Sequence, residues 1–157
     1  MKRLKTLVFL LVCAAIFASA AMVYAFARNL VNYDKLTEIK LAYYGWGAST
    51  EYKLAQRDGA WLVSREVRGS FFEEDSYNEA VVGEEFVQKI KKILSDNEAQ
   101  KWDGFDKSEN YYDGGGFIFY AGFSDGKQIN ARGYMTEPYT FYTASRALSE
   151  QFSSLFE

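Results

Sequence analysis

From Glu38 onward the chain alternates apolar and polar positions. Ile39, Leu41 and Tyr43 face one way, with Lys40, Ala42 and Tyr44 facing the other, so the spacing predicts a half-buried strand. Gly45-Trp46-Gly47-Ala48-Ser49 breaks this strand, and Thr50 to Gln56 resumes as a second, carrying Tyr52 and Leu54. Asp58-Gly59 is a hairpin signal, because both residues tolerate the positive φ of a type I′ turn. Trp61, Val63 and Val67 mark a third strand, with Ser64, Glu66 and Arg68 opposite. Between Gly69 and Gly83 the pattern weakens. Glu73-Glu74-Asp75 reads as loop, and Glu79 to Val82 fits either a short strand or the lead-in to a helix.

The period then changes. Phe86, Ile90, Ile93 and Leu94 recur at helical spacing, with Glu84 and Glu85 at the positive end of the dipole, predicting a helix over 83–95. Residues 101–116 read as a polar loop punctuated by Trp102, Phe105, Tyr111 and Tyr112. Phe117, Phe119, Ala121 and Phe123 alternate on a fourth strand, Ser124-Asp125-Gly126-Lys127 turns the chain, and Ile129, Ala131 and Gly133 continue a fifth. Pro138 precedes a last helix whose stripe is Phe141, Ala144, Leu148, Phe152, Leu155 and Phe156. The expected fold class is α+β: an antiparallel sheet of about five strands in β-β-β-α-β-β-α order, with the helices packed on one face.

Ahead of this domain lies a different kind of sequence. Lys2, Arg3 and Lys5 precede an uncharged, mostly apolar run from Thr6 to Ala27, closed by Arg28. A basic head before such a run is an export signal, so the domain is expected outside the cytoplasm: secreted, periplasmic or at the cell surface. The run is long enough for the roughly 20 residues of a membrane-spanning helix. Its second half carries Ala18-Ser19-Ala20 and Ala25-Phe26-Ala27, each with the small-x-small shape a signal peptidase accepts. Residues 1–27 are thus a signal peptide or a signal-anchor helix, which if uncleaved holds the chain in the cytoplasmic membrane through residues 6–27. Residues 28–37 form a linker and 38–157 a single domain. Cys13, the only cysteine, sits inside the apolar run and reads as a small hydrophobe, not a lipidation site. A cut chain therefore has no disulfide and depends on its hydrophobic core.

The whole chain carries 18 basic and 21 acidic residues, a net of −3. Loss of Lys2, Arg3 and Lys5 with the leader leaves 15 against 21, a net of −6. An acidic domain without a basic stripe argues against nucleic acid and anionic lipid. There is no histidine, which removes Ser-His and Cys-His catalysis and the commonest metal ligand. Gly122-Phe123-Ser124-Asp125-Gly126 matches the G-x-S-x-G elbow formally, and Ser124 with Lys127 matches S-x-x-K. Both need a helix after the serine, whereas the pattern here is strand-turn-strand. Gly114-Gly115-Gly116 precedes a strand rather than a helix, against a nucleotide site. The acids Asp103, Asp106, Glu109 and Asp113 do not follow the EF-hand spacing, so no metal is assigned and calcium at 103–113 stays open. Nothing calls for a cofactor or a catalytic residue.

Residues 101–157 resemble a recurring module of uncharacterised exported or envelope-associated bacterial proteins. The likeness rests on Trp102-Asp103-Gly104-Phe105, Asp113-Gly114, Phe123-Ser124-Asp125-Gly126, Ile129-Asn130-Ala131-Arg132-Gly133 and Pro138. It implies an envelope context and no activity.

The remaining signal is aromatic: 3 Trp, 12 Tyr and 13 Phe. Many occupy inward strand positions, yet Tyr44, Trp46, Tyr111 and Tyr112 are surplus to a core. They are the expected contact face for a protein or glycan ligand at the envelope. Two other readings stay open. One is a membrane-anchored structural or assembly partner. The other is a small carboxylate-dependent hydrolase drawing on acids such as Glu66, Glu73, Glu74 and Asp75.

Overall fold

A computed structural model describes residues 31–69, 74–109 and 114–157; the expected leader and Tyr111 and Tyr112 fall outside them. The compact unit runs from Asn32 to Glu157. Its strands are β1 (Leu36–Gly45), β2 (Ala48–Arg57), β3 (Ala60–Arg68), β4 (Ser76–Val82), β5 (Phe105–Ser108), β6 (Gly115–Phe123) and β7 (Gln128–Tyr134). The helices are α1 (Glu84–Asp96) and α2 (Phe141–Ser153), and short 3-10 turns cover Tyr33–Lys35 and Ala99–Trp102.

The expected α+β fold with about five antiparallel strands is corrected. The unit is mostly sheet: seven strands in the order β4-β3-β2-β1-β6-β7-β5. The sheet is mixed, because β5 pairs parallel with β7 while the other neighbours are antiparallel. The two additional strands lie at the edges and have a common physical cause. An edge strand carries no continuous apolar face, so β4 alternates weakly and β5 spans four exposed or half-buried residues. β5 reaches its parallel partner β7 only after the antiparallel β6 has intervened, a pairing that the local hydrophobic pattern cannot announce.

Between β1 and β2, Trp46 and Gly47 form a two-residue turn with φ of 55° and 77°, and Gly45 pairs Ala48. Asp58 and Gly59, with φ of 50° and 81°, do the same between β2 and β3. One sheet face carries the core. Ile39 aligns with Leu54, Val63, Ala121 and Ile129, and Leu41 aligns with Tyr52, Phe119 and Ala131. α2 packs on that face through Phe141 against Phe117, with centroids 3.9 Å apart, and Phe152 stacked on Tyr52 at 5.4 Å. α1 lies beside α2, with Phe86 against Phe152, and buries Val87, Ile90 and Leu94. The opposite face is solvated and laced by cross-strand pairs such as Lys40–Glu51 and Lys53–Glu38, each at 2.7 Å. Among the described residues no helix is long and apolar enough to cross a membrane.

The entry to β1 is pinned to the second 3-10 turn. Tyr33 donates its hydroxyl proton to Oε1 of Gln100 at 2.8 Å and accepts the Gln100 backbone N–H at 3.2 Å. Burial pushes the phenol up to about 12 from 10.0. A raised pKa means that the folded chain holds this proton more tightly than the unfolded chain. Its contribution is therefore complete below about pH 10 and is lost between about pH 10 and 12. For a half-buried group this amounts to about 1 kcal/mol after solvent screening. Denaturant titrations at rising pH should show the loss, and Tyr33→Phe should flatten that part of the profile. An unchanged profile in the variant would assign the alkaline loss elsewhere.

Candidate functional site

Where the β1–β2 turn, the start of β6 and the β7–α2 loop meet, α2 leaves the end of the sheet uncovered. The result is a cleft of about 690 Å³. Its floor is aromatic: Tyr43, Phe117 and Phe141, with Tyr44 and Trp46 toward the turn and Met135, Thr136 and Glu137 from the loop. Sequence alternation puts Tyr43 inward and Tyr44 outward, and the glycines of β6 let both contribute. A side chain at Gly116 would collide with the Tyr44 ring, so that ring lies over the bare glycine backbone. The Tyr44 hydroxyl reaches toward the Gly133 carbonyl oxygen at 3.5 Å.

Trp46 is the outlier. Its ring is 76% exposed and its backbone sits at φ 55°. The left-handed region costs a bulky L-residue roughly 1 kcal/mol or more, and two-residue turns of this type favour Asn or Asp there. Met135, at φ 58°, also lines the cleft, and Thr140, at φ 68°, precedes α2. Among the described residues, two of the five non-glycine residues with positive φ, Trp46 and Met135, thus line this cleft. Backbone strain of this kind concentrates where geometry serves a purpose other than stability.

The electrostatics are sparse. Glu137 is the single charged side chain among the residues that line the cleft, and desolvation by the cleft wall lifts its carboxyl above the ordinary glutamate range. Burial pushes the Tyr43 phenol up, an effect that the Glu137 charge adds to; Ser149 donates a hydrogen bond to it at 3.4 Å. Ser49, Thr50 and Thr136 add hydroxyls to the lining.

Of the four aromatic residues expected to form a contact face, Tyr44 (38% exposed) and Trp46 share this cleft, and Tyr111 and Tyr112 lie outside the described residues. Sequence reasoning missed Met135, Thr136 and Glu137. The only available signal was an acid and a hydroxyl just before Pro138, in a loop with no pattern of its own.

The other chemical motifs are dispersed. Ser124 sits in the β6–β7 turn with its N–H on the Lys35 carbonyl at 2.8 Å, and strand follows on both sides. Asp103 accepts the Asn130 N–H at 2.9 Å, and Asp106 binds Arg132 through two hydrogen bonds of 2.7 and 2.6 Å, which lowers the Asp106 pKa. Among the described residues no group of three or more His, Cys, Asp or Glu could hold a metal. Glu66 pairs with Arg68 on the solvated face, and Asp75 accepts the Gly69 N–H. No protein-family model matches the chain, and no curated protein matches it.

Proposed function

We propose that the chain is an exported, non-catalytic binding domain of the bacterial envelope, which captures an apolar segment of a partner protein in the aromatic cleft at the β1–β2 turn. The observation that carries this reading is Trp46: a tryptophan held in a left-handed turn position and left 76% exposed. Such a residue contributes little to the core and costs the backbone. Its presence is economical if the ring is buried by something else. Exposed Trp and Tyr give large contact area at low entropy cost, and Met135 supplies an adaptable wall. Phe117, Phe141 and Met135 suit an apolar protein side chain better than the hydroxyl-covered surface of a glycan, which calls for several planar polar partners. For the hydrolase reading, the cleft offers Glu137 without a second carboxylate among its lining residues. Export rests on the basic-apolar leader, and an anchor retained after export would place the cleft near the membrane without changing its chemistry.

Trp46→Asn tests this proposal. Asparagine accepts the left-handed turn, so the variant should be as stable as the parent or more stable by about 0.5–1 kcal/mol. The same variant should lose the partner that the parent captures from envelope extract. Equal capture by both proteins would remove Trp46, and with it the cleft, from the binding surface.

A further inference from the structure

We propose that the free edge of β4 joins two copies of this chain. The two β4 strands pair antiparallel about a two-fold axis at Glu79, which fuses two seven-stranded sheets into one. No residue of β4 lines the cleft, so this contact does not depend on it. β4 ends the sheet order on one side. Its inner flank pairs β3 without a register shift from Trp61↔Val82 to Val67↔Ser76, so alternate residues aim their N–H and C=O groups outward. Among the described residues no strand, turn or loop takes up those groups. Such an edge is a template for another strand unless the sequence blunts it. β5, at the opposite edge, is blunted: it has four residues, Asp106 and Lys107 among them. β4 has seven residues, no lysine, no proline and no bulge, and it leaves Tyr77 61% and Val81 73% exposed.

Spacing selects a second copy as the occupant. Val63 of the core aligns with Ala80, so Tyr77, Glu79 and Val81 share the solvated face. Tyr77 and Val81 stand two residues to either side of Glu79. A two-fold axis at Glu79 therefore sets Tyr77 of each copy opposite Val81 of the other, an aromatic–β-branched pair formed twice. It is also the register in which all seven residues of the strand pair. Moving the axis to Asn78 or Ala80 leaves the strand ends unpaired and sets Glu79 against Tyr77 or Val81. The one adverse contact is Glu79 against its own copy. Each of these carboxylates already accepts the Tyr77 hydroxyl at 2.9 Å and has the Arg57 guanidinium 3.9 Å away, so neither brings a bare charge to the axis. Seven paired residues make a small interface, which suits a reversible dimer rather than an obligate one.

The test uses the full chain with Cys13→Ser, which leaves no other cysteine. In that background Glu79→Cys should form a disulfide-linked dimer under mild oxidation, because the axis brings position 79 against itself. Lys92→Cys, on the exposed side of α1, should stay unlinked. Tyr77→Cys and Val81→Cys chains should link to each other when mixed, and neither to itself. In sedimentation the parent should show a concentration-dependent dimer. Val81→Lys should weaken that dimer about tenfold. It should also unfold at the parent's temperature, since this side chain is largely in water. Glu79→Gln should tighten the dimer roughly threefold by removing like charge from the axis. No more linkage at position 79 than at 92, or equal association of Val81→Lys and the parent, would overturn the pairing. Self-linkage of Tyr77→Cys, or a weaker dimer with Glu79→Gln, would overturn the axis at Glu79. A photoreactive residue at position 79 whose only adduct in cells is with a different envelope protein would assign the edge to a foreign strand and overturn the pairing of copies. Envelope capture through Trp46 is untouched by any of these outcomes.

Discussion

Replacing Trp102 with alanine is expected to destabilise the domain by about 4 kcal/mol, the range for deleting a large buried aromatic. The indole is 1% exposed and sits where three elements meet. It meets Phe119 of β6 edge-on at 5.1 Å and Phe141 of α2 edge-on at 5.1 Å. Its ring nitrogen donates to the Tyr139 carbonyl at 3.2 Å and to the Thr140 hydroxyl at 3.3 Å. Those two bonds hold the left-handed Thr140 that starts α2, so truncation opens a cavity and also releases the helix entry. The midpoint of thermal unfolding should fall on the order of 15 °C. By contrast, alanine at the exposed Trp46 should change stability by no more than about 0.5 kcal/mol. Comparable losses at both tryptophans would refute the division between core indole and contact indole.

The second large effect is expected at Gly133. A methyl group there would collide with the backbone carbonyl oxygen of Thr136 and stand 2.6 Å from the Phe117 ring. Phe105, on the parallel strand β5, stands 3.2 Å from the same position, so little can yield. Gly133→Ala should therefore cost about 3 kcal/mol, the upper part of the usual overpacking range. Thr136 and Phe117 also line the cleft, so the strain should be felt there. The expected signature is a shifted Trp46 resonance together with reduced stability. A stable variant with an unaltered indole signal would contradict the close approach of β7, β6 and the following loop.

Gly133 also shows what the sequence conveys and what it hides. Its alternation with Ile129 and Ala131 marks a strand, because strand periodicity depends on neighbours in the chain. The crowding that makes glycine obligatory comes from Phe117, Thr136 and Phe105, which folding alone brings together. β1, β2, β3, β6 and β7 are legible for the first reason: each presents a clear apolar face to one core. β4 and β5 are not, since an edge strand half exposed to water needs no such face. Their omission changes the class of the fold, from a small sheet balanced by helices to a wide mixed sheet that dominates the unit.

The cleft was legible in part. Tyr44 and Trp46 stand out because rings on both sides of a strand exceed what one core can bury. The two-residue turn at Trp46-Gly47 was hidden, because tryptophan is an unusual residue for a left-handed position whereas Asp58-Gly59 is a favoured one. Glu137 could not be placed from the chain at all. Its significance lies in being the one carboxylate at a wall of rings, and that wall is assembled from β1, β6 and α2.

The central claim is that a partner buries Trp46 outside the cytoplasm. A photoreactive benzoylphenylalanine at position 46, compared with the same residue at Lys92 on the exposed side of α1, tests it in cells making the full chain. Irradiation should produce a covalent adduct with one envelope protein from position 46 and none from position 92. Adducts of equal yield from both positions, or none from position 46, would contradict the account.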